Sequence, residues 1–281
     1  MRAMDLSSQP RQAAVDASWR RDRGTTGVLE PGQIRLTFLG HSTVLIEVDR
    51  LRILTDPVLG PGLGPVRRHS DPIAPDLFDD LDAVFISHGH HDHLDLASLR
   101  RIPGRPTILV PRGFGSLVSR SVDGPVEEVE PGEHLVIDQV GFDVVFAEHD
   151  GRRRPFGPRG PALGCVVRGS RTVYFPGDTD LFSGMDDLVG ADVALLPVWG
   201  WGPNIGPGHM DPIRAAEAAY RLQPTLAIPI HWGTLYPVGL RRVHPGPLSD
   251  PGHQFASAVA DSAPQVNVRV LAPGESLSMP R

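Results

Sequence analysis

From Ala83 to Asp95 the chain reads Ala83-Val84-Phe85-Ile86-Ser87-His88-Gly89-His90-His91-Asp92-His93-Leu94-Asp95. An apolar run is followed at once by His88, His90 and His93 at i, i+2 and i+5, with Asp92 at i+4. Neutral imidazole and carboxylate are the donors that hold zinc, manganese or iron at hydrolytic centres; an all-thiolate structural site needs cysteines that this chain lacks. His88 and His90, two apart on extended backbone, leave the same side and reach one cation. Asp92 and His93 follow in the turn and suit a second, neighbouring cation. A solvated His-rich turn is the plain alternative, and the strand-then-helix setting argues against it.

Three more ligand-type residues stand where strand patterns stop. They are His149 in Glu148-His149-Asp150, Asp178 in Pro176-Gly177-Asp178, and His231 in Ile230-His231-Trp232. Asp56, before Pro57, is either a turn initiator or an outer partner for a ligand imidazole. His209 is a candidate donor to a leaving group or oxyanion, or else a helix-entry residue bonded within the fold. His41, beside the first turn, is a weaker candidate. Asp211 reads as the N-cap of a helix with Pro212 at its first position, and is kept with His41 and Asp56 as a residue near the site. For Trp199, Trp201 and Trp232 a core role is favoured over substrate stacking.

The elements that position these groups are legible in outline. Ile34, Leu36 and Phe38 alternate, Val44 to Val48 and Ile53 to Thr55 follow, and an antiparallel start results. Helices are expected near 94–101, 114–119 and 212–221, with strands near 107–110, 134–137, 142–147, 163–167, 172–175, 193–196 and 226–230. Residues 58–76 read as a Gly/Pro-dense loop, expected to wall a substrate pocket. The Arg-rich segment 151–161 is a basic loop, either facing an anionic substrate or solvated. Residues 1–30 lack sustained periodicity and are expected to be a partly ordered arm, with a helical turn or two over 13–19, ahead of one hydrolase domain at 31–281.

The 281 residues, 40% hydrophobic and 21% charged, describe a globular chain. No apolar stretch reaches membrane-spanning length and no signal core opens the chain, so a cytoplasmic protein is expected. A single cysteine excludes an internal disulfide. All 27 basic residues are Arg, and the net charge of −6 argues against general nucleic-acid binding. No Gly-Lys-Ser/Thr follows the Gly-rich loop, so a P-loop is excluded.

Taken in order, His88/His90/Asp92/His93, His149, Asp178 and His231 resemble the metallo-β-lactamase fold superfamily. Leu39-Gly40-His41-Ser42-Thr43-Val44-Leu45, Leu54-Thr55-Asp56-Pro57, Ile86-Ser87-His88, Gly177-Asp178-Thr179 and His209-Met210-Asp211-Pro212 are similar to the branch of N-acyl-phosphatidylethanolamine phospholipase D and L-ascorbate-6-phosphate lactonase. The resemblance covers roughly residues 34–275. It implies an α/β fold, an αβ/βα four-layer sandwich of two mixed sheets with helices outside and metals at one edge. It further implies one ion on His88, His90 and His149, another on Asp92, His93 and His231, and Asp178 bridging them.

The expected activity is that of a metal-dependent hydrolase using two divalent ions, zinc with manganese or iron as alternatives. A hydroxide bridging them is expected to attack a phosphodiester or lactone with an anionic group, with Asp92 orienting it and His209 assisting departure. A carboxylic-ester or thioester hydrolase and a metal-bound, non-catalytic binding or sensing protein are the alternatives. The partner is a small-molecule substrate, with a homodimer as the oligomeric expectation.

Overall fold

The computed structural model describes residues 11–14, 29, 32–153 and 157–280. Both faces of most strands carry apolar side chains, so each sheet must be covered twice, and the chain meets that demand with four layers. One sheet runs, in order, β18 (Ser276–Met279), β2 (Ile34–Gly40), β3 (Thr43–Val48), β4 (Leu51–Thr55), β7 (Ala83–Phe85), β8 (Thr107–Pro111) and β9 (Val126–Val129). It is antiparallel from β18 to β4 and parallel from β4 to β9. The other runs β1 (Arg11–Gln12), β10 (His134–Ile137), β11 (Val140–Phe146), β12 (Leu163–Arg168), β13 (Thr172–Phe175), β14 (Val193–Pro197), β15 (Leu226–Ile230) and β17 (Asn267–Val268). It is antiparallel from β10 to β13 and parallel from β13 to β17.

The period of two sorts the side chains. Val193 and Leu195 of β14 join Phe85 of β7 in the cluster shared by both sheets, where Phe85 meets Phe175 edge to face at 6.1 Å. Ala194 and Leu196 point the other way, towards α3 (Pro212–Leu222) and α5 (Pro251–Ser262), with Ala215, Ala219 and Phe255 in the same cluster. Val84 and Ile86 pack with Leu99 of α1 (Leu96–Leu99) and Val118 of α2 (Gly115–Val118). Helix, sheet, sheet and helix therefore stack as the αβ/βα sandwich requires. A short α4 spans Gly246–Ser249.

Helix α3 starts where the sequence places it. Asp211 accepts from the backbone N–H groups of Ile213 and Arg214, and Pro212 occupies the first helical position. The expected helix over 94–101 is reduced to Leu96–Leu99, because Asp95 caps it by accepting from Ala97 N and Ser98 N and leaves 90–94 as a turn.

Two regions differ from expectation. Segment 58–76 is not a bare loop: β5 (Gly62–Leu63) and β6 (Val66–Arg68) form a hairpin against β16 (Leu235–Pro237). The Arg68 guanidinium donates to the carbonyls of Gly60, Leu39 and Val58 and to Ser70 Oγ. Burial, with Arg101 nearby, pushes its pKa down to about 10. Residues 13–14, the described start of the expected helical turn, are not helical, and Arg11–Gln12 ahead of them pair in parallel with Leu135 and Val136. The rest of the 1–30 arm apart from residue 29, including 15–19 of the expected helical turn, and residues 154–156 of the Arg-rich loop lie outside the described residues.

Candidate metal centre

The topology explains how residues as distant in sequence as Asp56 and His231 come to one edge. Strands β4 and β7 are parallel, β13 and β15 run the same way through β14, and β11 shares the direction of β13 because β12 opposes both. Asp56 follows β4 directly, His88 stands three residues past β7, His149 three past β11, Asp178 three past β13, and His231 follows β15. All are carboxyl ends, the usual place for reactive groups in sheets with parallel strands.

Two groups of donor atoms result. His90 Nδ1 lies 2.9 Å from His88 Nε2 and 3.1 Å from His149 Nε2. In the second group His93 Nε2 lies 3.2 Å from His231 Nε2, and Asp92 Oδ2 lies 3.5 Å from the former and 3.8 Å from the latter. Asp178 sits between them. Its Oδ2 is 3.1 Å from His93 Nε2 and 3.9 Å from His88 Nε2, and its Oδ1 is 3.2 Å from His231 Nε2. The structure thus brings together all seven residues that the sequence singles out as ligand candidates.

Whether these residues suit a cation is decided by where their protons are held. His93 Nδ1 is 2.6 Å from Asp56 Oδ2, His149 Nδ1 is 2.8 Å from the Gly208 carbonyl, and His231 Nδ1 is 2.9 Å from the Trp199 carbonyl. Ser87 Oγ donates to Asp56 Oδ2 at 2.5 Å, which leaves its lone pair for His88 Nδ1 at 2.9 Å. Each of these four imidazoles therefore has an acceptor at Nδ1, which leaves Nε2 as the inward nitrogen that a cation can take. Nitrogens converging at about 3 Å need either a shared proton or a cation between them. Asp178 Oδ1 is buried and makes no hydrogen bond. An all nitrogen-and-oxygen donor set of this kind fits divalent metal.

The electrostatics agree with crowding. Burial, reinforced by His93, drives the His88 pKa well below its usual value, and burial takes His149 down to about 4. Burial takes His41 down to about 3. For His93 the same burial is outweighed by Asp178, Asp92 and Asp56, and its pKa rises well above normal. Burial would raise Asp92 and Asp178, but His93 acting on Asp92, and His231 with His93 acting on Asp178, hold both well below the carboxylate range.

The remaining candidates fall on different sides. Asp56 is buried and braces both Ser87, whose N–H donates to Oδ1 at 2.7 Å, and His93. His41 is fully buried, with Nε2 3.0 Å from Asp92 Oδ2. His209 places Nε2 3.4 Å from Asp178 Oδ2, while its Nδ1 faces the carbonyls of Gly206 and Pro207. Burial is outweighed there by the Asp178 contact, and the His209 pKa is raised. Asp211 spends its carboxylate on the α3 cap, one residue past Met210. Trp232 is buried with the α5 cluster, whereas Trp201 is 40% exposed, at odds with a core role. Arg153 of the Arg-rich loop donates to the Gly89 and Leu94 carbonyls, so it fastens that loop to the ligand turn.

Three residues at the centre, His41, Asp56 and His231, hold non-glycine backbone in the left-handed region, at φ 57, 34 and 63°. Such conformations cost about 1–3 kcal/mol and persist where the surroundings over-determine them. Gly208 is needed for another reason: at φ +76°, a Cβ there would come within 2.9 Å of His149 Nδ1.

Sequence reasoning assigned no role to Ser87, although its place between Ile86 and His88 hints at one. Thr234, whose Oγ1 accepts from His41 N, has no sequence signal, nor do the Gly208 and Trp199 carbonyls.

Comparison with known proteins places this geometry in context. A family described as the beta-lactamase superfamily domain matches residues 51–232. A UPF0173 metal-dependent hydrolase of Methanopyrus kandleri is 31% identical, over 86% of this chain and 99% of that protein. N-acyl-phosphatidylethanolamine-hydrolyzing phospholipase D 1 of Caenorhabditis elegans is 31% identical over 72% of this chain and 64% of its own length. Among solved structures, the metallo hydrolase Igni18 of Ignicoccus hospitalis superposes with a TM-score of 0.65 at 24% identity, covering 89% of this chain and 99% of that one.

Proposed function

The chain belongs to the metallo-β-lactamase superfamily and is a metal-dependent hydrolase of that fold; from that premise we propose that it works with two divalent ions on a phosphodiester or lactone bearing an anionic group. In this reading His88, His90 and His149 would hold one ion, Asp92, His93 and His231 the other, and Asp178 would serve both. The observation that carries it is the inward convergence of seven donors, four of them imidazoles whose outer nitrogens are pinned. Zinc suits the imidazole-carboxylate set, with manganese or iron as alternatives. Such ions would supply Lewis acidity and lower the pKa of a bound water.

The chain's own residues do the rest. Asp92, held ionised, orients the attacking water and accepts its proton at a carboxylate oxygen. His209 keeps a proton at Nε2 through its contact with Asp178 and offers it to the leaving oxygen. Its Nδ1–H is occupied by backbone carbonyls, so the ring cannot turn without loss. Likeness to a relative named as a phospholipase D supports the phosphodiester side.

The test is elemental analysis of the purified protein beside hydrolysis of bis-p-nitrophenyl phosphate, lactones and p-nitrophenyl esters, with and without chelator. About two metals per chain and chelator-sensitive phosphodiester or lactone turnover are expected. Turnover confined to simple esters would move the assignment to a carboxylic-ester hydrolase, and no metal after reconstitution would overturn the reading.

A further inference from the structure

Three imidazoles, His41, His93 and His231, surround Asp92, and among them His41 is the one whose bonding differs. Its Nε2 lies close enough to the donor atoms of Asp92, His93 and His231 to count as a fourth ligand by distance alone. The proton inventory separates the two roles. A ligating Nε2 needs its proton on Nδ1, and four imidazoles of the centre have an acceptor there: Asp56 for His93, Ser87 for His88, Gly208 for His149, Trp199 for His231. His41 Nδ1 is buried and has no hydrogen-bond partner. A buried N–H without an acceptor is costlier and rarer than a buried lone pair without a donor. The favoured tautomer therefore carries its proton on Nε2, facing the Asp92 carboxylate at 3.0 Å.

We propose that His41 is the positioning residue of the Asp92 site, and not a ligand: its Nε2–H donates to Asp92 Oδ2 and holds that carboxylate in the orientation the second ion requires. This inference rests on the two-ion reading above. The ring is aimed by its surroundings. Its backbone N–H donates to Thr234 Oγ1 at 3.0 Å, its carbonyl accepts from His231 N–H at 2.7 Å, and the ring packs on His231 at 4.1 Å between centroids. The left-handed φ of 57° is the cost of that aim. Because His41 precedes β3 while His231 follows β15, the contact also ties a residue of one sheet to a ligand candidate of the other.

The experiment compares three variants, His41→Gln, His41→Asn and His41→Phe, for metal stoichiometry, chelator-competition affinity and the cobalt(II) absorption spectrum, with thermal melting as a folding control. The Gln amide nitrogen falls near the position of Nε2, and the Asn amide nitrogen near that of Nδ1. Asn tolerates left-handed backbone better than Gln. If His41 serves by donation, Gln retains the second metal while Asn and Phe weaken it by about 10–100-fold and shift the cobalt spectrum, with the first metal kept. If His41 serves only its backbone conformation, the order reverses and Asn is best, which overturns the proposal. Two metals of undiminished affinity in His41→Phe also overturn it. Fewer than two metals in the unmodified protein would instead strike the two-ion reading, and this inference with it.

Discussion

At the scale of single residues, Asp56 carries more than its position before a proline announces. It accepts from Ser87 N–H and Oγ–H and from His93 Nδ1, so one carboxylate sets the tautomer of His93 directly and of His88 through Ser87. Replacing it with Ala should lower affinity for both ions by about 10–100-fold in chelator competition, since outer partners of ligand imidazoles typically matter to that extent. His88→Ala or Asp178→Ala should abolish metal loading and hydrolysis together; persistence of both activities in both variants would refute the ligand assignment. The same inventory predicts the acid behaviour of the metal-free protein. His41, His88, His90 and His149 have folded pKa values below their unfolded value of about 6.5. Their contribution is therefore full above that pH and is lost as pH falls towards the folded values, about 4 for His149 and about 3 for His41. His93 and His209 are raised, so theirs is full below about 6.5 and lost as pH rises through the folded values. Four groups oppose two, and urea midpoints of the chelated protein should fall from pH 7 to pH 5.

At the scale of elements, the cap of α3 separates stability from chemistry. Asp211→Ala removes bonds to Ile213 N and Arg214 N and should cost about 1 kcal/mol in denaturant unfolding while leaving metal stoichiometry at its normal value. If stoichiometry fell as well, Asp211 would belong to the site after all. This helix was legible because its signals are local: a capping carboxylate, a proline at the first position, and alanines at buried spacing. The ligand-bearing strand ends were legible for a related reason, since a β-branched run that stops at His or Asp announces both the element and the chemistry. The hairpin at 62–68 was not, because two- and three-residue strands carry no period and depend on β16, some 170 residues on. Nor was β1 legible, whose partner β10 lies over 120 residues away. Backbone carbonyls that accept from His149 and His231 leave no trace in side-chain identity.

At the scale of the whole molecule, the centre is assembled from both sheets: His88 to His93 from the one, His149, Asp178 and His231 from the other. At the far edge β1 pairs with β10, while Ala14 accepts from Thr107 Oγ1 at 2.6 Å and donates to Glu127 Oε1 at 3.2 Å, so residues 11–14 also span both sheets. Deleting residues 1–14 should lower the melting temperature and leave metal stoichiometry intact, measured by calorimetry and elemental analysis. Ions that bind only the folded chain should stabilise it by about 2.7 kcal/mol per site at a hundredfold excess over Kd. Among the described residues no helix is long and apolar enough to cross a membrane.

The division of donors between two sheets has a kinetic side. His93 and His231, 3.2 Å apart, belong to opposite sheets, and neither can swing away without giving up its Asp56 or Trp199 partner. An ion held by that pair would be gripped from both sheets at once. The rate at which the loaded protein surrenders metal to an excess of scavenger should therefore rise in variants that loosen either grip, Asp56→Ala on one sheet or a shortened 199–206 loop on the other, as a stopwatch on how firmly the two halves are latched.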